Sequence, residues 1–428
     1  MKAKYLLIPA VIETCFSCSS QQNSGNPFQK IANDISAGRI SRALIMTDSL
    51  KKVYQPGSNE WMRADSLQQI SERIKIDYKL TRTELKERIA QITGRPDSTE
   101  FLLWEKKGFP DYRIIDGEKQ YFKRSPGNLI LLADFYNKTG NKTNEKSAFR
   151  LNHTAKVLEQ PAGLPSVPVQ IKFQYTITVD ADALPAGEKI RCWMPFPRSD
   201  QNRQKDVRLL ETSEKNYIMS PDSAVHSSIY MEKAAKAGEK TVFSISCSYT
   251  SYALHFDTIT FSGYNKDSNL YRTYTAEQQP HINFSPEIRK LADSITGNET
   301  NPVLVVRKMW YWLKMNVPWT GAPEYSIIPD ISGFTLKQKT GDCGMQTFLF
   351  MSLLRYKGIP VRWQSGWMMP PFEVNLHDWC EVYFEGTGWV PADPSYDLQT
   401  TGNKKLSEYF LSGIDSYRMI INTGVSGQ

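Results

Sequence analysis

Apolar and polar positions along the C-terminal third change period from segment to segment. Phe348, Leu349, Met351, Leu353 and Leu354 recur at helical spacing without Pro or Gly, which predicts a helix over 343–356. Gly341 and Asp342 precede it, and Gly358 with Pro360 ends it. Residues 361–366 then form an expected strand. Trp379, Glu381 and Tyr383 alternate with Cys380, Val382 and Phe384, so a second strand begins near His377. Gly386–Gly388 has the chemistry of a hairpin turn, and the strand opened by Trp389 and Val390 ends at Asp393-Pro394. This hairpin makes His377 and Asp393 expected cross-strand neighbours.

The rest of the chain is patterned differently. Residues 27–98 carry helical spacing, with Trp61, Leu67, Ile70 and Ile74 on one face of an expected helix over 59–80. Thr81 and Glu84 make a capping-box pattern that opens the next helix, which Gly94 and Pro96 close. Phe101–Trp104 and Leu129–Tyr136 predict short helices. Between them Asp116-Gly117 marks the turn of a hairpin over 112–122. A Pro-rich linker over 161–168 gives way to strict alternation over 169–179 and 241–252, the signature of half-buried strands. Residues 257–284 read as a polar linker, Ser285-Pro286 and Asn301-Pro302 as helix starts, and 319–341 as a loop. The expected fold is α+β: a helical region over 27–160, a β-sandwich over 161–260 and a catalytic domain over 261–428.

Composition narrows the function classes. A length of 428 residues allows about three domains. The formal charge of +7 is spread along the chain rather than gathered in a run, so no nucleic-acid partner is expected. Residues 1–26 have the outline of a secretory leader and tether: Lys2 and Lys4, an apolar stretch, then Cys18 followed by Ser, Gln, Asn and Gly. The small residue before Cys18 resembles a bacterial lipoprotein signal, which would make Cys18 the lipidated N-terminus. The expected location is the bacterial cell envelope, with a lipid anchor in the membrane. Four cysteines remain beyond the leader; Cys192 and Cys247 fall on expected strands, where pairing is open. No Cys and His spacing suggests zinc, so neither metal nor cofactor is expected. No carboxylate pair suggests glycoside chemistry.

Cys343, His377 and Asp393 carry the candidate chemistry. A thiol is a weak nucleophile until an imidazole takes its proton, and a carboxylate on the other ring nitrogen steadies the imidazolium. A helix N-terminus further favours a thiolate, so Cys343 is expected to have a lowered pKa.

Leu353-Leu354-Arg355, Gly358-Ile359-Pro360, Arg362, His377, Trp379, Glu381-Val382, Gly388-Trp389 and Asp393-Pro394 resemble the transglutaminase-like core, part of the papain-like cysteine-enzyme class. The resemblance covers about 300–397. It implies Cys343 as nucleophile, His377 as general base and Asp393 as its orienter. Asp378 departs from it, standing where a small residue is expected; it adds charge beside the imidazole or faces solvent. Trp319 and Trp379 are candidate walls of the cleft, and Gln338 is a candidate oxyanion donor beside the Cys343 amide. The implied activity is peptidase or amidase through an acyl-enzyme, on a protein, peptide or peptidoglycan-like amide. The alternatives are a cross-linking transglutaminase and a binding lipoprotein that retains only the fold.

Overall fold

The structure is a computed structural model that describes residues 26–94, 99–137, 145–396 and 402–425. The leader with Cys18 lies outside the described residues. Among the described residues no helix is long and apolar enough to cross a membrane. The fold is α+β, and the chain divides into two compact units.

One unit takes the described residues of 8–140 and 317–342. Its helices Pro27–Ser36, Ile40–Val53, Asn59–Asp77, Arg82–Thr93, Thr99–Lys106 and Ser125–Asn137 accompany a three-stranded sheet with Glu118–Phe122 at its centre. Local chemistry sets the helix ends. The Ser58 hydroxyl accepts from the Trp61 amide, Thr81 and Glu84 form the capping box, and Gly94 takes the left-handed C-cap. Leu80, Leu85, Ile89, Phe101, Trp104, Tyr121 and Leu129 make the core. The expected helix over 59–80 stops at Asp77, because Tyr78–Leu80 pairs with the central strand instead. The expected loop over 319–341 contains a helix, Ile331–Gln338, started by the Asp330 side chain on the Gly333 amide. Hydrogen bonds among the described residues fix this segment to the helical region. Asn128 and Gly321 exchange two, at 2.9 Å each; Arg113 donates to the Ile327 carbonyl at 2.7 Å, and Asp77 accepts from the Glu324 amide at 2.7 Å.

The other unit takes the described residues of 141–316 and 343–428. Two of its sheets pack face to face. Ser166–Val179, Thr241–His255 and Gln204–Thr212 form one, joined by Gly413–Ile414; Lys189–Pro195, Ser228–Ala234 and Ile218–Met219 form the other. Inward residues of both share one core, including Met194, Ile229, Met231, Phe243, Ile245, Cys192 and Cys247. The two cysteines are free thiols, and burial pushes them up to about 11 and about 12. Helix Glu145–Leu158, in a stretch with weak apolar periodicity, and helix Asn269–Thr275, inside the expected polar linker, were not foreseen.

The remaining sheet positions the site. Its order is Gly388–Ala392, Asn375–Phe384, Val361–Met368 and Arg418–Asn422. Helix Cys343–Tyr356 packs on it, with Phe348 stacked on Trp363 at 4.1 Å between centroids. Gly366 sits opposite both His377 and Ile420, and a side chain there would run into the Met419 carbonyl. This close approach brings the Arg418 strand against the strand next to His377.

Candidate active site

The histidine strand Asn375–Phe384 pairs with Gly388–Ala392 as far as Cys380 opposite Ala392. Asp393 is therefore the first residue past the ladder, and it reaches His377 diagonally. Its Oδ2 lies 2.7 Å from His377 Nε2. The same oxygen accepts from Arg418 Nη1 at 2.8 Å. Its Oδ1 accepts from the Ser395 amide at 3.1 Å, the Ser395 hydroxyl at 2.9 Å and the Tyr396 amide at 3.2 Å. Arg418 in turn donates through Nε to Asp415 at 2.9 Å and lies over the Tyr396 ring at 4.3 Å. His377, Asp393 and Arg418 are all buried.

The electrostatics follow from this packing. Burial alone would raise the Asp393 carboxyl, but His377 and Arg418 outweigh it and hold the group well below the usual carboxylate range. Burial lowers the His377 imidazole, and Asp393 only partly restores it. The resting pair is thus a neutral imidazole beside a carboxylate. A carboxylate can only accept, so Nε2 carries the proton and Nδ1 carries the free lone pair. Arg418 is itself opposed by burial, yet Asp415 and Asp393 raise it above its ordinary value. The arrangement can accept a proton at Nδ1 and stabilise the resulting imidazolium.

Cys343 opens helix Cys343–Tyr356 and is half-buried. Its Sγ–H donates to Asp378 Oδ2 at 3.3 Å. One turn along, Thr347 Oγ1 donates to the Asp378 carbonyl at 3.5 Å. Consecutive strand residues face opposite sides. His377 and Trp379 share one side, their rings stacked at 6.0 Å, while Asp378 meets the thiol. The structure therefore joins His377 to Asp393, and Cys343 to the residue after His377. Asp378 puts its charge beside the sulfur rather than beside the imidazole or in solvent. A carboxylate there opposes the thiolate that the helix N-terminus favours. Cys380 is fully buried, donates to the Ala392 carbonyl at 3.4 Å, and is pushed well above the ordinary thiol range by burial.

The other expected site residues fare differently. Trp379 is not a cleft wall: it is 0% exposed, packs with Leu254, Ile414 and Ile420, and donates its indole N–H to Gln364 at 2.7 Å. It is a core residue because its strand is covered on that side. Trp319 is 38% exposed and bridges to Gly341. Gln338 ends its helix with its amide donating to Asp111 at 3.3 Å, a carboxylate of its own unit, rather than being held for an oxyanion. Arg418, Asp415 and Tyr396 were missed. The one available signal was a lone Arg heading the apolar run Met419-Ile420-Ile421, three residues after an Asp.

Comparison with known proteins identifies the domain. Residues 289–394 match the transglutaminase-like superfamily. A stretch of 200 residues is 25% identical to the uncharacterized protein YebA of Bacillus subtilis (strain 168), covering 42% of this chain and 27% of that protein. The chain thus spans about a quarter of the length of this curated relative. Among solved structures, a proposed cysteine protease from Cytophaga hutchinsonii is 16% identical with a TM-score of 0.43, over 60% of this chain and 84% of that one. The periplasmic domain of TgpA from Pseudomonas aeruginosa is 14% identical with a TM-score of 0.27, over 57% of this chain and 75% of that one.

Proposed function

We propose that this chain, whose residues 289–394 are a transglutaminase-like domain, is a cysteine-dependent acyl enzyme that cleaves amide bonds. The observation that carries the reading is the buried His377–Asp393 pair, with Nδ1 as its basic atom, on the strand whose next residue, Asp378, contacts a half-buried cysteine that opens a helix. The Cys343 proton passes to His377 Nδ1 as sulfur attacks the substrate carbonyl. The C–S bond forms, and the oxyanion is stabilised by amides at the helix N-terminus. The C–N bond then breaks and the leaving amine takes the proton from His377. Asp393 holds the ring by Nε2 throughout, and Arg418 keeps Asp393 ionised. Water resolves the thioester in a peptidase or amidase; an amine resolves it in a transglutaminase. Hydrolysis is the reading preferred here, on a protein, peptide or peptidoglycan-like amide at the cell envelope, with the chain anchored through Cys18.

The Cys343–Asp378 contact favours a second reading, a binding lipoprotein that keeps the fold with a quiescent thiol. Acyl trapping separates the two. The full chain is treated with p-nitrophenyl acetate, quenched in acid and mapped by mass. A thioester on Cys343, absent in Cys343→Ala, supports the enzyme. Adding glycinamide then distinguishes water from amine as the resolving nucleophile. Absence of any Cys343 thioester would favour the binding protein.

A further inference from the structure

Asp378 is placed where chemistry at Cys343 must deal with it. Its Oδ2 accepts from the reacting sulfur at 3.3 Å, and its carbonyl accepts from Thr347, so the side chain leaves a strand position fixed from behind. The facing groups bear on its effect. From the cysteine helix, Thr347 is neutral. From the adjacent strand, Ser365 is opposite Asp378 in the ladder, and its hydroxyl accepts from Asn422 at 2.8 Å. On the histidine strand itself, His377 binds Asp393 through Nε2, and Arg418 donates to the same carboxylate. Asp342, the residue before Cys343, has its carboxylate accepting from Tyr325. Asp378 thus puts a carboxylate in contact with the sulfur.

A carboxylate touching a thiol does two things. It holds the proton on sulfur, since two adjacent negative charges resist forming together. It also attracts a cation arriving with the substrate, and that cation would remove the obstacle to the thiolate. We propose that Asp378 is a specificity-determining residue, which keeps Cys343 protonated at rest and selects acyl substrates bearing an ammonium group near the scissile carbonyl. The inference rests on the acyl-enzyme reading and names its substrate class. The order of events is pairing of the substrate ammonium with Asp378, passage of the thiol proton to His377 Nδ1, and attack. No group beyond substrate and enzyme is needed to balance it.

The test has an arm that does not depend on turnover. Three methanethiosulfonates, with ethyltrimethylammonium, methyl and ethylsulfonate groups, are reacted with the folded full chain, and disulfide formation at Cys343 is timed by peptide mass. In wild type the cationic reagent should outpace the anionic one by at least about tenfold over their ratio on glutathione, the factor that one pKa unit represents. Asp378→Asn should abolish that preference and lower the thiol pKa by about 1–3 units, and Asp378→Glu should retain the preference. The second arm compares p-nitrophenyl esters of N-acetyl-lysine and N-acetyl-norleucine. Wild type should favour lysine in kcat/KM by about tenfold, and Asp378→Asn should lose the difference. Equal rates for the three reagents, or a preference unchanged in Asp378→Asn, overturn the proposal; so does indifference between the two esters in a wild type that acylates. A chain that discriminates the reagents but forms no thioester overturns the enzyme reading instead.

Discussion

Asp393 binds His377 Nε2 at 2.7 Å through the same oxygen that receives Arg418 Nη1 at 2.8 Å. One buried oxygen thus sets the tautomer of the imidazole and is kept ionised by a guanidinium on a strand from the far end of the chain. Asp393→Asn would permit the opposite tautomer, with Nδ1 protonated and unable to take the thiol proton. Acylation of Cys343 by p-nitrophenyl acetate should fall by about 10²–10⁴-fold, with the circular dichroism spectrum retained. An unchanged rate would make Asp393 a structural turn residue ahead of Pro394.

Arg418 is the counter-charge for both Asp393 and Asp415, and all three groups are buried. Arg418→Met keeps most of the volume but leaves two carboxylates without their cation. Removing one partner of a buried pair costs about 3–5 kcal/mol, so the urea midpoint should drop clearly. Stability equal to wild type would mean that the carboxylates find other compensation.

The pH dependence of stability has a defined sign. Burial lowers His153 and His377, and lowers His281 to about 4. Each takes up a proton more readily when unfolded. Their neutral folded forms contribute stability that is complete above the unfolded value of about 6.5 and is lost as pH falls toward 4. Asp393 acts in the same direction further down, because its folded value lies below its unfolded value of about 3.9. Cys380 acts oppositely at the alkaline end, because its raised folded value favours the unfolded thiolate above about 8.5. Urea midpoints measured across pH should therefore peak near neutrality; a midpoint that stays flat from 7 to 4 would contradict the account.

The leader supplies a separate prediction. Metabolic labelling with an alkynyl fatty acid should mark the wild-type chain and not Cys18→Ala. Equal labelling of both would remove the lipid anchor, and loss only in Cys15→Ala would move the attachment site.

The elements nearest the chemistry were legible because their local signals agree with their packing. The helix Cys343–Tyr356, the capping box at Thr81 and Glu84, the Asp116-Gly117 turn and the Gly388–Ala392 strand all form where spacing and turn chemistry put them. Asn269–Thr275 and Ile331–Gln338 were hidden because short helices with serine or aspartate caps look like polar loop in one dimension. Trp379 looked like a cleft residue beside His377, but its burial depends on Leu254 and Ile420, far away in the chain. Arg418 was out of reach for the same reason: only the sheet order brings the last strand beside the strand that pairs with His377. The contact of Asp378 with Cys343 was out of reach as well, because it depends on where the cysteine helix meets that strand.

The proposed function turns on acylation of Cys343 with His377 taking its proton. The most direct measurement is the pre-steady-state burst of p-nitrophenolate from p-nitrophenyl acetate at pH 7, in wild type and His377→Ala, with the acyl group mapped by mass. Wild type should give a burst with the thioester on Cys343, slowed by about 10²–10⁴-fold in His377→Ala, and none on Cys380. A burst of equal rate in both proteins, or a wild-type acyl group found on another residue, would contradict it.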